Sequence, residues 1–93
     1  MYATVRTYSG GSEFVDALVA RQDDIRSVIT AIDGFRAYYL VRTAGGATTI
    51  SVFANQDGAQ ESTSAAAAWV AANIPDVSPG PPQVTGGEVA LSF

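Results

Sequence analysis

Ninety-three residues, 47% of them apolar and 15% charged, read as one folded domain spanning residues 1–93 and exclude a disordered chain. Five arginines, no lysine and nine acidic residues leave a net charge of −4, a poor electrostatic footprint for nucleic acid. Cysteine and histidine are absent, which removes disulfides, thiolate chemistry, the commonest general base and the commonest metal ligand.

A chain of this size buries roughly 60–65% of its unfolded surface and gains stability from a partner. The opening "MYATVRTYSGG" lacks the charged-then-apolar order of a signal peptide, and no run approaches the ~18 apolar residues of a membrane span. The expectation is a cytoplasmic protein with no nucleic-acid or membrane partner.

"YATVRTY" (2–8) is rich in β-branched and aromatic residues and reads as a strand. Its smaller apolar residues, Ala3 and Val5, are expected to face the helices. Arg6, with Tyr2 and Tyr8, then faces away, toward a sheet–sheet interface or beyond its edge. "SGGS" breaks the strand, and Ser12 can cap a helix carrying Glu13 in its first turn. Leu18, Arg21, Ile25, Val28, Ile29 and Ile32 all fall within about 60° of Phe14 at 100° per residue, which predicts one helix over 13–32. Gly34 ends it. Arg21 is anomalous, a guanidinium in the middle of an apolar face. It must snorkel out, pair with a carboxylate such as Glu88, or anchor an anionic or phenolic oxygen. Glu13, Asp16, Asp23 and Asp24 lie mostly on the outer side and read as a solvated face.

"FRAYYLVRT" (35–43) and "ATTISVFAN" (47–55), joined through "AGG", form a hairpin. Tyr38 and Tyr39 point to opposite faces, one into the helix–sheet cleft and the other toward a partner. Asp57 with Gln60 resembles a capping box that opens a helix running to about Asn73, with Asn55 as a turn residue. Trp69, the sole tryptophan, stands in a run of alanines about 80° round the helix from Ala59, on the flank of the buried face beside Ser62 and Asn73. That flank suits a cleft wall, or simple packing on the proline-rich connection "PDVSPGPP" that follows. "QVTGGEVALSF" (83–93) reads as a last strand with a bulge at Gly86-Gly87.

The order β-α-β-β-α-β predicts an α+β, ferredoxin-like antiparallel sheet with both helices on one face. Strands apolar on both sides, such as "AYYLV", call for the other face to be covered, and stacking on an identical sheet gives a homodimer. No phosphate-binding glycine loop, nucleophile–histidine pair or acidic metal cluster is present in the pattern, so no cofactor or metal site is expected.

With "MYATVRTY", "IDGFRAYYLVRT", "VFANQDGAQES", "AAWVAANIPD" and "PPQVTGGEV" in this order, nearly the whole chain resembles the antibiotic-biosynthesis monooxygenase (ABM) superfamily of dimeric α/β barrels. The resemblance implies a pocket between sheet and helices in each subunit. It also implies, for some members, oxidation of polycyclic phenols or quinols by molecular oxygen without metal or flavin. Trp69, Arg21, Asn73 and one of Tyr38 and Tyr39 are the residue types that such a pocket would use, through hydrogen bonds to a phenolate in a dry cavity. This reading predicts a cavity of roughly 300 Å³ or more, lined by Trp69 and Arg21, and a helix–sheet space filled by side chains would contradict it. Other members bind or degrade haem through a histidine, which this chain lacks; tyrosine ligation is the open route. Three readings stand: a cofactor-independent oxygenase or oxidase on a small aromatic, a non-catalytic dimeric ligand-binding or stress-associated module, and a pure assembly unit.

Overall fold

The computed structural model describes residues 1–77 and 79–93; Ser78 of the proline-rich connection lies outside them. Strands β1 (Tyr2–Ser9), β2 (Phe35–Thr43), β3 (Gly46–Phe53) and β4 (Gln83–Glu88) form one antiparallel sheet in the order β2-β3-β1-β4. Helices α1 (Glu13–Ala20), α2 (Gln22–Thr30) and α3 (Gln56–Asn73) complete an α+β ferredoxin-like fold, with a single 3-10 turn at Pro75–Val77.

Strand β1 is oriented opposite to expectation. Thr4 and Arg6 are buried beneath the helices, with Tyr2 and Tyr8 at the same parity, while Ala3, Val5 and Thr7 take the other face. The register explains the choice, because Arg6 stands opposite Thr49 and Thr4 opposite Ser51. Directly opposed residues share a face, so the arginine has hydroxyl partners beside it. Tyr8 packs against the apolar cluster around Phe14, and Tyr2 against the one around Phe53.

The predicted helix over 13–32 is two helices. It breaks at Arg21, whose backbone (φ −113°, ψ 27°) leaves the helical region and donates to the carbonyls of both Ala17 and Leu18. An unbroken helix would aim the guanidinium at the core; the break turns it outward. Phe14, Val15 and Leu18 remain buried before the break, and Ile29 and Ile32 after it. Gly34 then turns the chain into β2 with φ 84°, a left-handed conformation in which a side chain is strained.

Helix α3 starts two residues earlier than the Asp57 reading. Asn55 is its cap, in extended conformation, with Oδ1 accepting the Gly58 N–H at 3.0 Å. In β4 the ladder runs evenly from Thr7–Gln83 to Tyr2–Glu88, so no bulge forms at Gly86-Gly87. Gly86 serves a close approach instead: a Cβ there would stand 2.8 Å from the Tyr2 Oη. The irregularity of the sheet lies in β2, between Phe35 and Ala37. The last strand ends at Glu88, and Leu91 and Phe93 beyond it are exposed.

Two apolar clusters make the core. Phe14, Val15, Leu18 and Ala47 form one, with Trp69 and Val70 against it; Ile29, Ile32, Phe53 and Ala59 form the other. Between Ala47 and Phe53, the inward positions of β3 are Thr49 and Ser51, both buried. A polar belt therefore separates the clusters. The opposite sheet face carries Val5, Ile50 and Val52, half-buried, with Tyr39 at 58% and Val41 at 43% exposure. Apart from Thr7 and Thr48 the central part of this face is apolar, and it is uncovered in the single chain.

The Asn55 cap supplies a first test of this fold. Asn55→Ala should lower the unfolding free energy by about 1 kcal/mol, the usual worth of a side-chain cap. Urea denaturation followed by circular dichroism measures it; an unchanged midpoint would place the helix start elsewhere.

Candidate functional site

The polar belt is built around Arg6, which is 1% exposed. Its Nε donates to Thr49 Oγ1 at 3.0 Å, and Nη2 donates to Ser51 Oγ. Nη1 donates to Thr63 Oγ1 at 2.7 Å and to Ser62 Oγ at 3.5 Å. The β3 partners come from alternation along the strand, and the α3 partners sit one turn past Ala59. Ser62 and Thr63 donate their own protons to the Ala59 carbonyl, at 2.7 and 3.4 Å, which leaves their oxygens free to accept.

This cradle satisfies geometry without neutralising charge. All of Arg6's partners are neutral, and the salt bridges among the described residues involve Arg21, Arg26 and Arg42. Burying an ion without a counter-ion costs on the order of several kcal/mol. The nearby titratable groups are also neutral acids. Burial pushes the Tyr8 phenol above its usual 10.0, opposed by the positive charge of Arg6. Tyr38 is raised by burial as well, against Arg6 and with a smaller push from Tyr8. Both phenols are therefore hydrogen-bond donors at neutral pH.

Beside this belt, a half-open groove of about 470 Å³ lies between the α1–α2 arm and β2. Leu18, Val19, Ile25, Ile29, Phe35 and Leu40 give it apolar walls, and Gln22, Arg26, Thr30 and Tyr38 are its polar groups. A second space, of only about 20 Å³, lies deeper, against Arg6, Tyr8, Thr49 and Trp69. Leu18, Ile25, Ile29 and Tyr38 border both spaces.

The sequence-derived candidates divide on this geometry. Tyr38 faces the helices and borders both spaces, whereas Tyr39 lies on the open sheet face. Trp69 is half-buried and lines only the deep space, and Arg21 lines neither space, so no cavity of the expected size is walled by both. Arg21 is exposed. Its Nε meets Asp24 Oδ2 at 3.0 Å, its Nη2 donates to Asn73 Oδ1 at 3.3 Å, and its guanidinium lies 5.4 Å from the Trp69 ring centroid. Glu88 is not its partner. Asn73 also donates to the Trp69 carbonyl at 3.0 Å, so Arg21, Trp69 and Asn73 form an outer clasp between the α1–α2 break and α3. Glu13, Asp16, Asp23 and Asp24 are solvent-exposed, as expected of a solvated face.

Arg6 is the residue that sequence reasoning set aside. The signal for it was the inward run of hydroxyls at Thr4, Thr49, Ser51 and Thr63, which needs a multivalent donor at its centre.

No protein-family model matches the sequence, and no curated protein matches it. Solved structures do. A variant of MhuD with two manganese protoporphyrin IX molecules bound per active site superposes with a TM-score of 0.77, at 13% identity, over 100% of this chain and 98% of that one. A monooxygenase from the gene ActVA-Orf6 of Streptomyces coelicolor, in complex with nanaomycin D, gives 0.68 at 14% identity over 99% and 88%. SnoaB, a cofactor-independent oxygenase from Streptomyces nogalater, gives 0.53 at 14% identity over 99% and 93%. These likenesses, all at low identity, establish the fold alone: the chain has the ferredoxin-like architecture that these structures share.

A haem iron does not fit the donors present. The chain has no imidazole or thiolate, and the groove offers a single phenol, Tyr38, which burial holds in its protonated form.

The raised phenols give a pH test. A buried acid whose folded pKa lies above its unfolded value stabilises the fold below pH 10.0, and that contribution disappears as pH rises through the folded pKa. Unfolding measured in steps through pH 10 should show falling stability, and Tyr38→Phe should flatten the fall. An identical pH profile for the variant would contradict the burial of Tyr38.

Proposed function

We propose that the protein binds a small aromatic phenol or quinol in the groove between the α1–α2 arm and β2, and oxidises it with molecular oxygen without a cofactor. The observation that carries this reading is the 470 Å³ groove itself, apolar on most walls and bordered by one neutral phenol. It is supported by the fold shared with the monooxygenase that holds nanaomycin D and with the cofactor-independent oxygenase SnoaB.

With an anthrone, the keto form of a polycyclic phenol, the carbanion passes an electron to dioxygen and the peroxide formed on carbon loses water, so that one CH₂ and one O₂ become one C=O and one H₂O. With a quinol, two electrons and two protons pass to dioxygen, giving the quinone and H₂O₂. The chain's contribution is physical. Leu18, Ile25, Ile29, Phe35 and Leu40 exclude water, and the Tyr38 hydroxyl donates a hydrogen bond to the ionised oxygen. Trp69 backs the deep space, while Arg21 and Asn73 act as its outer clasp.

One observation favours the non-catalytic alternative, a dimeric ligand-binding module: the groove lining holds no carboxylate or imidazole to take a proton. Oxygen uptake by metal-free protein with a panel of hydroxyanthrones and hydroquinones separates the two. Val19, 48% exposed on the groove wall, can be enlarged without touching the buried core. Val19→Trp should cut uptake by about tenfold or more, a loss of roughly 1.4 kcal/mol in transition-state stabilisation. Uptake at the autoxidation background, with aromatic binding retained, would establish the binding module instead.

The uncovered sheet face completes the proposal as a cytoplasmic homodimer stacked through Val5, Ile50, Val52, Tyr39 and Val41. Light scattering should give twice the 9.6 kDa chain mass. Val41→Asp, which introduces a charge on the exposed part of that face, should shift the population toward monomer. A monomeric wild type at micromolar concentration would refute the stacking.

A further inference from the structure

We propose that Arg6 is the recognition group for an anion, so that the groove's ligand is a flat aromatic bearing an ionised oxygen that reaches the guanidinium through the deep space. The inference rests on the groove reading above and adds the charge of what binds there.

Charge placement carries the argument. The chain has nine carboxylates against five guanidinium groups, so acids are not scarce. Three of the arginines are paired with aspartates at the surface, where pairing is worth little, and Arg36 is exposed. The one guanidinium buried in the core, where a counter-ion matters most, has neutral hydroxyls instead. A structural arginine at this depth would be expected to have a carboxylate beside it. Four hydroxyls fix the plane of the fork and leave its charge available. A guanidinium has five N–H groups, and the cradle accounts for four hydrogen bonds.

The deep space shows where the counter-ion would go. At about 20 Å³ it has room for one or two heavy atoms, against a requirement of ~10–15 Å³ for a water. Arg6, Tyr8, Tyr38 and Thr49 border it. That size fits an oxygen terminus of a ligand whose body lies in the larger groove. Leu18, Ile25, Ile29 and Tyr38 line both spaces, and a ligand that spans them requires these side chains to turn aside. A phenolate, enolate or carboxylate oxygen entering there meets a cation and two protonated phenols, a set that favours the ionised form. The same set explains how a groove without a general base could hold its substrate ionised.

Two probes of equal shape test the charge requirement: 2-naphthoate and 2-naphthamide, measured by calorimetry at pH 7 with the wild-type protein and with Arg6→Gln and Arg6→Met. Arg6→Gln keeps an amide donor for the hydroxyl cradle, and circular dichroism confirms folding of each variant. The wild type should bind the carboxylate at least tenfold more tightly than the amide, and the variants should bind the two alike. Equal affinities in the wild type, or a preference that persists in a folded variant, would overturn the role of Arg6 while leaving the groove standing. Binding of neither probe would overturn the groove reading and this inference together.

Discussion

An unneutralised guanidinium in the middle of the core is the constraint around which this small fold is arranged. Arg6 divides what would be one apolar interior into two clusters, and the division is visible on each layer. Along β3 the inward sequence is Ala47, Thr49, Ser51, Phe53, and along α3 it runs from Ala59 through Ser62 and Thr63 to Trp69 and Val70. The strand pair accepts from Nε and Nη2 of Arg6, and the helix pair accepts from Nη1. The strand register and the placement of hydroxyls in a helix interior follow from accommodating one charge in the core, while Tyr8 and Tyr38 are kept neutral by burial against the opposing pull of that charge.

The helical layer then determines how that charge communicates with the surface. The break at Arg21 lets α1 and α2 pack their short apolar stripes separately, and the groove opens along the α2–β2 side. Arg21, Asp24, Asn73 and Trp69 close the other side with exposed contacts, each weak by itself. A residue that the apolar pattern marks as a possible ligand anchor thus fastens two elements, while the charge relevant to a ligand sits on the strand beneath them.

The fold was legible in the sequence because its signals are local and mutually consistent: β-branched strands, a glycine stop at Gly34, a hairpin and a proline stop after α3. The facing of β1 was not legible, because alternation decides parity only when one sheet face is wet. Here both faces carry apolar residues, and choosing the smaller set for the helix side placed Arg6 outward. The helix break at Arg21 escaped for a related reason, since a helical wheel assumes continuity and cannot register a residue that leaves the face by leaving the helix. Tyr38 and Tyr39 do alternate across the sheet, whereas the rarity of Trp69 in the sequence is no guide to its place in the structure. Its surroundings, and not its size, decide what it does.

The most direct test of the account is proton exchange at the arginine side chains, read from nitrogen-15 spectra of selectively labelled protein. Arg6 Nε–H is buried and bonded to Thr49, whereas the Arg21 and Arg26 guanidinium groups engage exposed aspartates. A single strongly protected Nε–H resonance, lost in Arg6→Gln and shifted by 2-naphthoate but not by 2-naphthamide, is the predicted result. Five Nε–H groups exchanging at similar rates would contradict the burial of Arg6 and the arrangement built on it.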